Sequence, residues 1–184
     1  MKVKASNLKS LAVLAALSVG IYSCTSMKSS NKQARAAISA TKAATPGNGT
    51  ITFVQESDGE VEMELKLDFP SKANQTVAVH IHEHGDCGNE GNDAHGHWNP
   101  TKSNHGKWGE GQFHLGDIGN VQLDASGKGE IELETRLWSV GTGATNDVIG
   151  KAIMVHDKAD DFTTQPTGNA GGRIGCGVIQ VVSR

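Results

Sequence analysis

Val61, Met63, Leu65, Leu67 and Phe69 alternate without a break with Glu62, Glu64, Lys66 and Asp68. A strand presents successive side chains to opposite faces, so this run predicts a strand with one apolar and one charged face. It excludes a helix, whose apolar positions recur at three and four. The preceding run Ile51-Thr52-Phe53-Val54, followed by a turn at Asp58-Gly59, reads as the other arm of a hairpin, and Pro70 ends the second arm. Val77, Val79 and Ile81 alternate with Ala78, His80 and His82 in a third strand. Further strands are expected at 121–123 and 131–133, flanking a turn near Ser126-Gly127, and at 152–155 and 178–182. No long amphipathic helix is legible, and 23 glycines suit short strands joined by tight turns. The expected fold class is therefore all-β, a Greek-key barrel or sandwich carrying one long loop.

Charge divides the chain. It holds 17 basic and 20 acidic residues, a net of −3, but residues 1–44 contain seven Lys or Arg and no acid. Residues 45–184 keep ten bases against all 20 acids, a net of about −10. Such a surface repels phosphate backbones, and no nucleic-acid partner is expected. Lys2, Lys4 and Lys9 precede an apolar stretch from Leu11 to Ile21. That stretch is too short to span a bilayer and suits the core of a secretory signal. It closes on Ile21-Tyr22-Ser23-Cys24, which resembles the lipobox of bacterial lipoproteins. This resemblance implies lipidation of Cys24 and a lipid anchor on the periplasmic or cell-surface face of a bacterial membrane. A plain cleaved signal with an incidental cysteine is the other reading. Residues 25–48 are rich in Ser, Lys, Ala and Thr and read as a flexible tether. The expected layout is a signal over 1–24, a tether over 25–48 and one folded domain over 49–184.

All eight histidines lie between residues 80 and 156. His80 and His82 leave the same strand face about 7 Å apart at the backbone, within reach of one metal ion. Between Glu83 and about Asp117 runs a Gly-, Asn- and His-rich stretch with little strand character. A loop of that length in a small domain points to function. It offers His95, His97, His105, His114 and Asp117, and three imidazoles with one carboxylate satisfy a closed tetrahedral zinc site. A bound ion also offsets the entropy of ordering such a loop. His156 stands alone at a distant strand end.

Together these segments resemble the copper–zinc superoxide dismutase family, in its bacterial lipoprotein form. The stretches that carry the resemblance are His80-Ile-His-Glu-His-Gly-Asp-Cys87, His97-Trp-Asn-Pro100, Asn104-His-Gly106 and Phe113-His-Leu-Gly-Asp-Ile-Gly-Asn120. To these add Val155-His-Asp-Lys-Ala-Asp-Asp161 and Thr167-Gly-Asn-Ala-Gly-Gly-Arg-Ile-Gly-Cys176. They run in family order from about residue 49 to the C-terminus. The resemblance implies an immunoglobulin-like Greek-key fold, copper and zinc as cofactors, and superoxide as substrate. The implied reaction yields dioxygen and hydrogen peroxide by copper redox cycling, with zinc structural.

Residue by residue, the resemblance implies copper held by His80, His82, His97 and His156. His97 bridges to zinc, which His105, His114 and Asp117 complete. Asp160 matches a carboxylate that hydrogen-bonds one ligand of each metal. Arg173 matches the arginine that receives the anion, which makes Arg173 and His97 the catalytic residues. Cys87 and Cys176 match an intrachain disulfide, and Cys87 directly after Gly85-Asp86 is the bacterial arrangement. The family also allows a homodimer. His84 and His95 are not required by its pattern; they read as mouth or loop residues, with copper capture as the sharper alternative. The brief segment between His156 and Arg173 implies a reduced guiding loop. Two rivals stand beside this reading. A non-enzymatic copper- or zinc-binding lipoprotein on the same fold would lack His97 or Arg173. A cupin-type metalloenzyme would want a Glu three or four residues after the histidine pair, where Gly85 and Asp86 stand.

Overall fold

The computed structural model of the chain describes residues 31–183. The expected signal peptide and the lipobox Cys24 lie outside the described residues. Nine strands are present among those described: β1 (Lys32–Ala40), β2 (Asn48–Gln55), β3 (Val61–Asp68), β4 (Thr76–His82), β5 (Gly119–Gln122), β6 (Lys128–Thr135), β7 (Ala152–His156), β8 (Arg173–Val178) and β9 (Gln180–Val181). All pairings are antiparallel, in the order β5-β4-β7-β8-β1-β2-β3-β6, with β9 beside β1. The two end strands, β5 and β6, lie against each other, so the sheet curls into a nearly closed barrel.

The expected hairpin is β2–β3, with Ile51 opposite Leu65 and Phe53 opposite Met63. Along β3 the inward Val61, Met63, Leu65 and Leu67 are buried, and outward Glu62 and Lys66 are exposed. Trp138, Phe53 and Phe69 are the largest side chains fully enclosed by the core. Burial of each such side chain contributes about 1.5–3 kcal/mol.

The expected tether is corrected over residues 32–48. β1 lies inside it, pairs with β2 from Lys32 to Ser39, and reaches β8 and β9 on its other edge. Ala34, Ala36 and Ile38 face inward, and Gln33, Arg35 and Ala37 face water. This is a period-2 pattern written mostly in alanine, whose small side chain leaves a weak hydropathy signal. Without β1, β2 and β8 would be open edges with unpaired backbone groups. The strand also returns Lys32 and Arg35 to an otherwise acidic domain.

The last expected strand, 178–182, is also corrected. β8 begins at Arg173, and only Gln180–Val181 continue as β9. Glycines hid β8 in the sequence. A Cβ on Gly177 would stand 2.4 Å from the Ala37 carbonyl oxygen, so close approach to β1 demands glycine there.

Residues 83–118 form the expected long loop, which doubles back over β4. Trp98 N–H donates to Ile81 O (2.8 Å), Ile81 N–H to Gly116 O (2.8 Å) and Gly116 N–H to Trp98 O (3.0 Å). β4 is consequently buried on both faces, with Val77, Val79 and Ile81 in the barrel core and His80 and His82 under the loop. Cys87 and Cys176 are joined in a disulfide that ties the loop to β8 across 89 residues of sequence. Closing a loop of that length contributes about 4–5 kcal/mol by chain entropy.

Candidate metal centre

β4 delivers two imidazoles, His80 and His82, from alternate positions of one face. β7 delivers a third, His156, at a register irregularity between Val155 and His156 that turns the ring toward β4. His97 comes from the loop and pairs with His82 as an isolated antiparallel bridge. One ligand atom from each of these four buried residues lies within 4.8 Å of the others. A second buried set, His97, His105, His114 and Asp117, meets the same limit. His97 belongs to both.

The hydrogen bonds decide which nitrogens are free. His80 Nε2–H donates to Asp160 Oδ2 (2.8 Å) and His105 Nε2–H to Asp160 Oδ1 (3.0 Å), so both rings turn Nδ1 inward. His82 Nδ1–H donates to His95 O (2.8 Å), leaving Nε2 to face His156 Nε2 at 3.4 Å. His97 Nδ1 lies 2.8 Å from Asp117 Oδ1, while its Nε2 has no partner. His80 Nδ1, His105 Nδ1, His114 Nδ1 and His156 Nδ1 are likewise buried without a hydrogen bond.

Metal ions fit these residues. Unpaired buried nitrogens are costly unless something takes their lone pairs. His105 Nδ1 and His114 Nδ1 stand 3.0 and 3.2 Å from oxygens of Asp117 without hydrogen-bond geometry. Tetrahedral zinc with bonds near 2.0–2.1 Å separates its ligand atoms by about 3.3 Å. The second set is nearly at that spacing.

Burial pushes the His80, His82 and His156 imidazoles down, the last two well below their usual value, and His97 down to about 4. Neighbouring imidazoles, and Arg173 beside His82 and His156, add to the effect. The first set is therefore neutral, with lone pairs available. The second set differs. Burial opposes a charge on His105, but contact with Asp117 and the bond to Asp160 prevail and raise it to about 9. Burial likewise opposes the Asp117 and Asp160 carboxylates, and the imidazoles donating to them hold both well below the usual range.

Asp160 reaches two rings only because Gly168, at φ +66°, leaves it room; a Cβ there would stand 1.8 Å from Asp160 Oδ1. Asn120 fixes the same segment, accepting from Asp160 N–H (2.8 Å) and donating to Asp160 O (2.9 Å). Gln165 clamps the loop by exchanging two 2.9 Å bonds with the His105 backbone. Sequence reasoning assigned no role to Gly168, Asn120 or Gln165. Asn120 and Gly168 sat inside quoted motifs, but nothing local signalled Gln165. Arg173 pairs with His156 across β7 and β8, and its guanidinium donates to Gly91 O and His95 O. It thus holds two loop carbonyls besides bringing a cation beside the first set. His84 and His95 lie outside both buried sets, exposed and close together.

The family described as copper/zinc superoxide dismutase matches residues 47–179. An extracellular superoxide dismutase [Cu-Zn] of Caenorhabditis elegans is 35% identical over 140 residues, covering 73% of this chain and 61% of its own length. The chain therefore spans less than two thirds of that relative. A superoxide dismutase [Cu-Zn] of Cryptococcus neoformans var. grubii is 32% identical over 143 residues, covering 73% of this chain and 90% of its own. Among solved structures, the clock protein EA4 superposes with a TM-score of 0.69 at 33% identity, covering 83% of this chain and 96% of its own. A double mutant of a SOD-like protein from Bacillus subtilis superposes with a TM-score of 0.67 at 28% identity, covering 78% and 94%.

Proposed function

The chain belongs to the copper/zinc superoxide dismutase family, and we propose that it disproportionates superoxide, with His80, His82, His97 and His156 as the copper ligands and His97, His105, His114 and Asp117 as the zinc ligands. Copper supplies the one-electron chemistry by which one superoxide is oxidised to dioxygen and a second, with two protons, is reduced to hydrogen peroxide, while zinc supplies fixed charge and order.

The observation that carries the reading is the double membership of His97. Its Nδ1 lies against Asp117, and its Nε2 is buried and unpartnered among the other set. In this reading that nitrogen would hold a proton and give it to the nascent peroxide. Asp160 orients His80 and His105 by fixing the tautomer of each. Arg173 stands half-buried next to His156 and draws an anion toward a domain whose overall charge repels it.

We also propose export, with the signal over residues 1–24 and the lipid anchor at Cys24. An extracellular relative and the disulfide both accord with an oxidising compartment. The segment between Cys24 and β1 then spans only residues 25–31, which fully extended reach about 25 Å. Cys24→Ser is expected to release active soluble protein, and fractionation of that variant with membranes would count against the anchor.

Metal analysis with an activity measurement tests the catalytic reading. The expected result is one copper and one zinc per chain and accelerated decay of superoxide. Protein loaded with both ions but inert toward superoxide would overturn it in favour of a metal-binding lipoprotein.

A further inference from the structure

Outside the two buried sets, one other group of metal-binding side chains converges among the described residues. Glu83, His84 and His95 are all exposed and each bring a ligand atom within 4.8 Å of the others. Register puts them there. His82 faces His97 in an antiparallel bridge, and Glu83 N–H donates to Gly96 O (3.0 Å) and His84 N–H to Ala94 O (3.2 Å). Two residues farther out along each segment, His84 therefore meets His95. Side chains repeat on one face every second residue, so this pair is the next rung outward, about 7 Å along. The two rungs are alike: ring centroids of His82 and His97 are 5.2 Å apart at 57°, and those of His84 and His95 are 4.3 Å apart at 58°.

The backbone of His95 adds a second observation. It sits at φ 62°, ψ −140°, a region nearly closed to residues with a Cβ. The inward need is for its carbonyl, which accepts from His82 Nδ1–H and from the Arg173 guanidinium. Glycine would serve that need without strain, so the fold gives no reason for an imidazole. The same conformation, however, holds the ring outside against His84. Among the described residues no Lys or Arg forms an ion pair with Glu83; Lys151 Nζ donates to its backbone carbonyl (3.2 Å) instead.

We propose that Glu83, His84 and His95 form a third, surface metal site that captures a transition-metal dication, copper(II) or zinc(II), and passes it to the His82–His97 rung. Two imidazoles and one carboxylate with solvent at the remaining positions bind such ions and release them readily by ligand exchange. Transfer needs no electron, only replacement of His84 and His95 by His82 and His97 as ligands. The capture site stands apart from the roles proposed for the two buried sets, whereas the delivery role rests on the copper assignment of the first.

The test uses protein carrying one copper and one zinc per chain, its content verified first; that measurement bears on the buried sets alone. Titration with copper sulfate, followed by calorimetry and electron paramagnetic resonance, is expected to reveal one further equivalent with its own spectrum. Affinity for it should fall at least tenfold in His84→Ala and in His95→Gly, the latter chosen because glycine tolerates the backbone. Superoxide activity of loaded His84→Ala should match the parent. Metal-free His84→Ala should fill its buried copper set several-fold more slowly at limiting copper, to the same final content. Saturation of the parent at two ions, or affinity as high as the parent's in both variants, overturns the site. A third ion bound with unchanged uptake in His84→Ala overturns the delivery role.

Discussion

The two ligand sets share His97 and little else. The set proposed for copper takes His80 and His82 from β4 and His156 from β7, contains no carboxylate, and is held neutral by burial. The set proposed for zinc takes His105, His114 and Asp117 from a loop and is charged before any metal arrives, with His105 raised and Asp117 lowered. On the proposed assignment, an ion that alternates between charge states would meet neutral donors carried largely by strands, and an ion of constant charge would meet a carboxylate carried by the loop.

Removing the shared ring breaks the comparison outright. His97→Ala is expected to lower turnover by a factor on the order of 100 or more, because a placed proton donor is lost together with the link between the sets. The copper spectrum should become insensitive to whether zinc is present. An unchanged spectrum with near-parental turnover would sink the bridging assignment.

Asp160 sharpens the contrast between strand and loop. It donates nothing to either ion but fixes one ring in each set. Asp160→Ala should weaken zinc about 10–100-fold in chelator competition, since such outer partners are worth that much. Copper should weaken less, because His80 stays on a strand. Equal losses for the two metals would show that the sheet confers no advantage.

Arg173 separates charge from scaffolding on the copper side. At about 5 Å and an effective dielectric near 20, a unit charge pair is worth roughly 3 kcal/mol, and solvent reduces this. Arg173→Ala should therefore lower kcat/KM about tenfold and Arg173→Glu further, with the gap narrowing as salt is added. Arg173→Lys keeps the charge but not the two bonds to Gly91 and His95. If Lys is as impaired as Ala, the residue acts by holding the loop rather than by attracting the anion.

The smallest effect is expected in the metal-free protein. His105, raised to about 9, contributes stability that is complete below pH 6.5 and lost as the pH climbs through 9. His97, lowered to about 4, imposes no penalty above pH 6.5 and a growing one as the pH falls toward 4. Tm should therefore decline by several degrees on both sides of near-neutral pH, and His105→Gln should flatten only the alkaline side. A Tm that rises steadily with pH to 9 would reverse the sign assigned to the zinc set.

Much of the fold was legible because strands advertise themselves by a local period. The β2–β3 hairpin, β4 and the long loop follow from alternation and from its interruption. β1 and β8 were obscured by the same physics, since alanine and glycine pack tightly while leaving little hydropathy contrast. The ligand types were equally legible: three imidazoles and an acid in one loop state a chemistry before any coordinates exist.

What only the tertiary structure decided is which distant groups meet, because period and composition carry no information about contacts made across the barrel. The His156 ring reaches β4 by way of a strand irregularity, and β1 joins two halves separated by more than 100 residues. Asp160 can serve two rings only because Gly168, eight residues on, returns to leave it space. The sequence by itself determined strands, loop and donor atoms. Their convergence on one shared imidazole depends on a sheet that closes, burying ring nitrogens that no protein group partners.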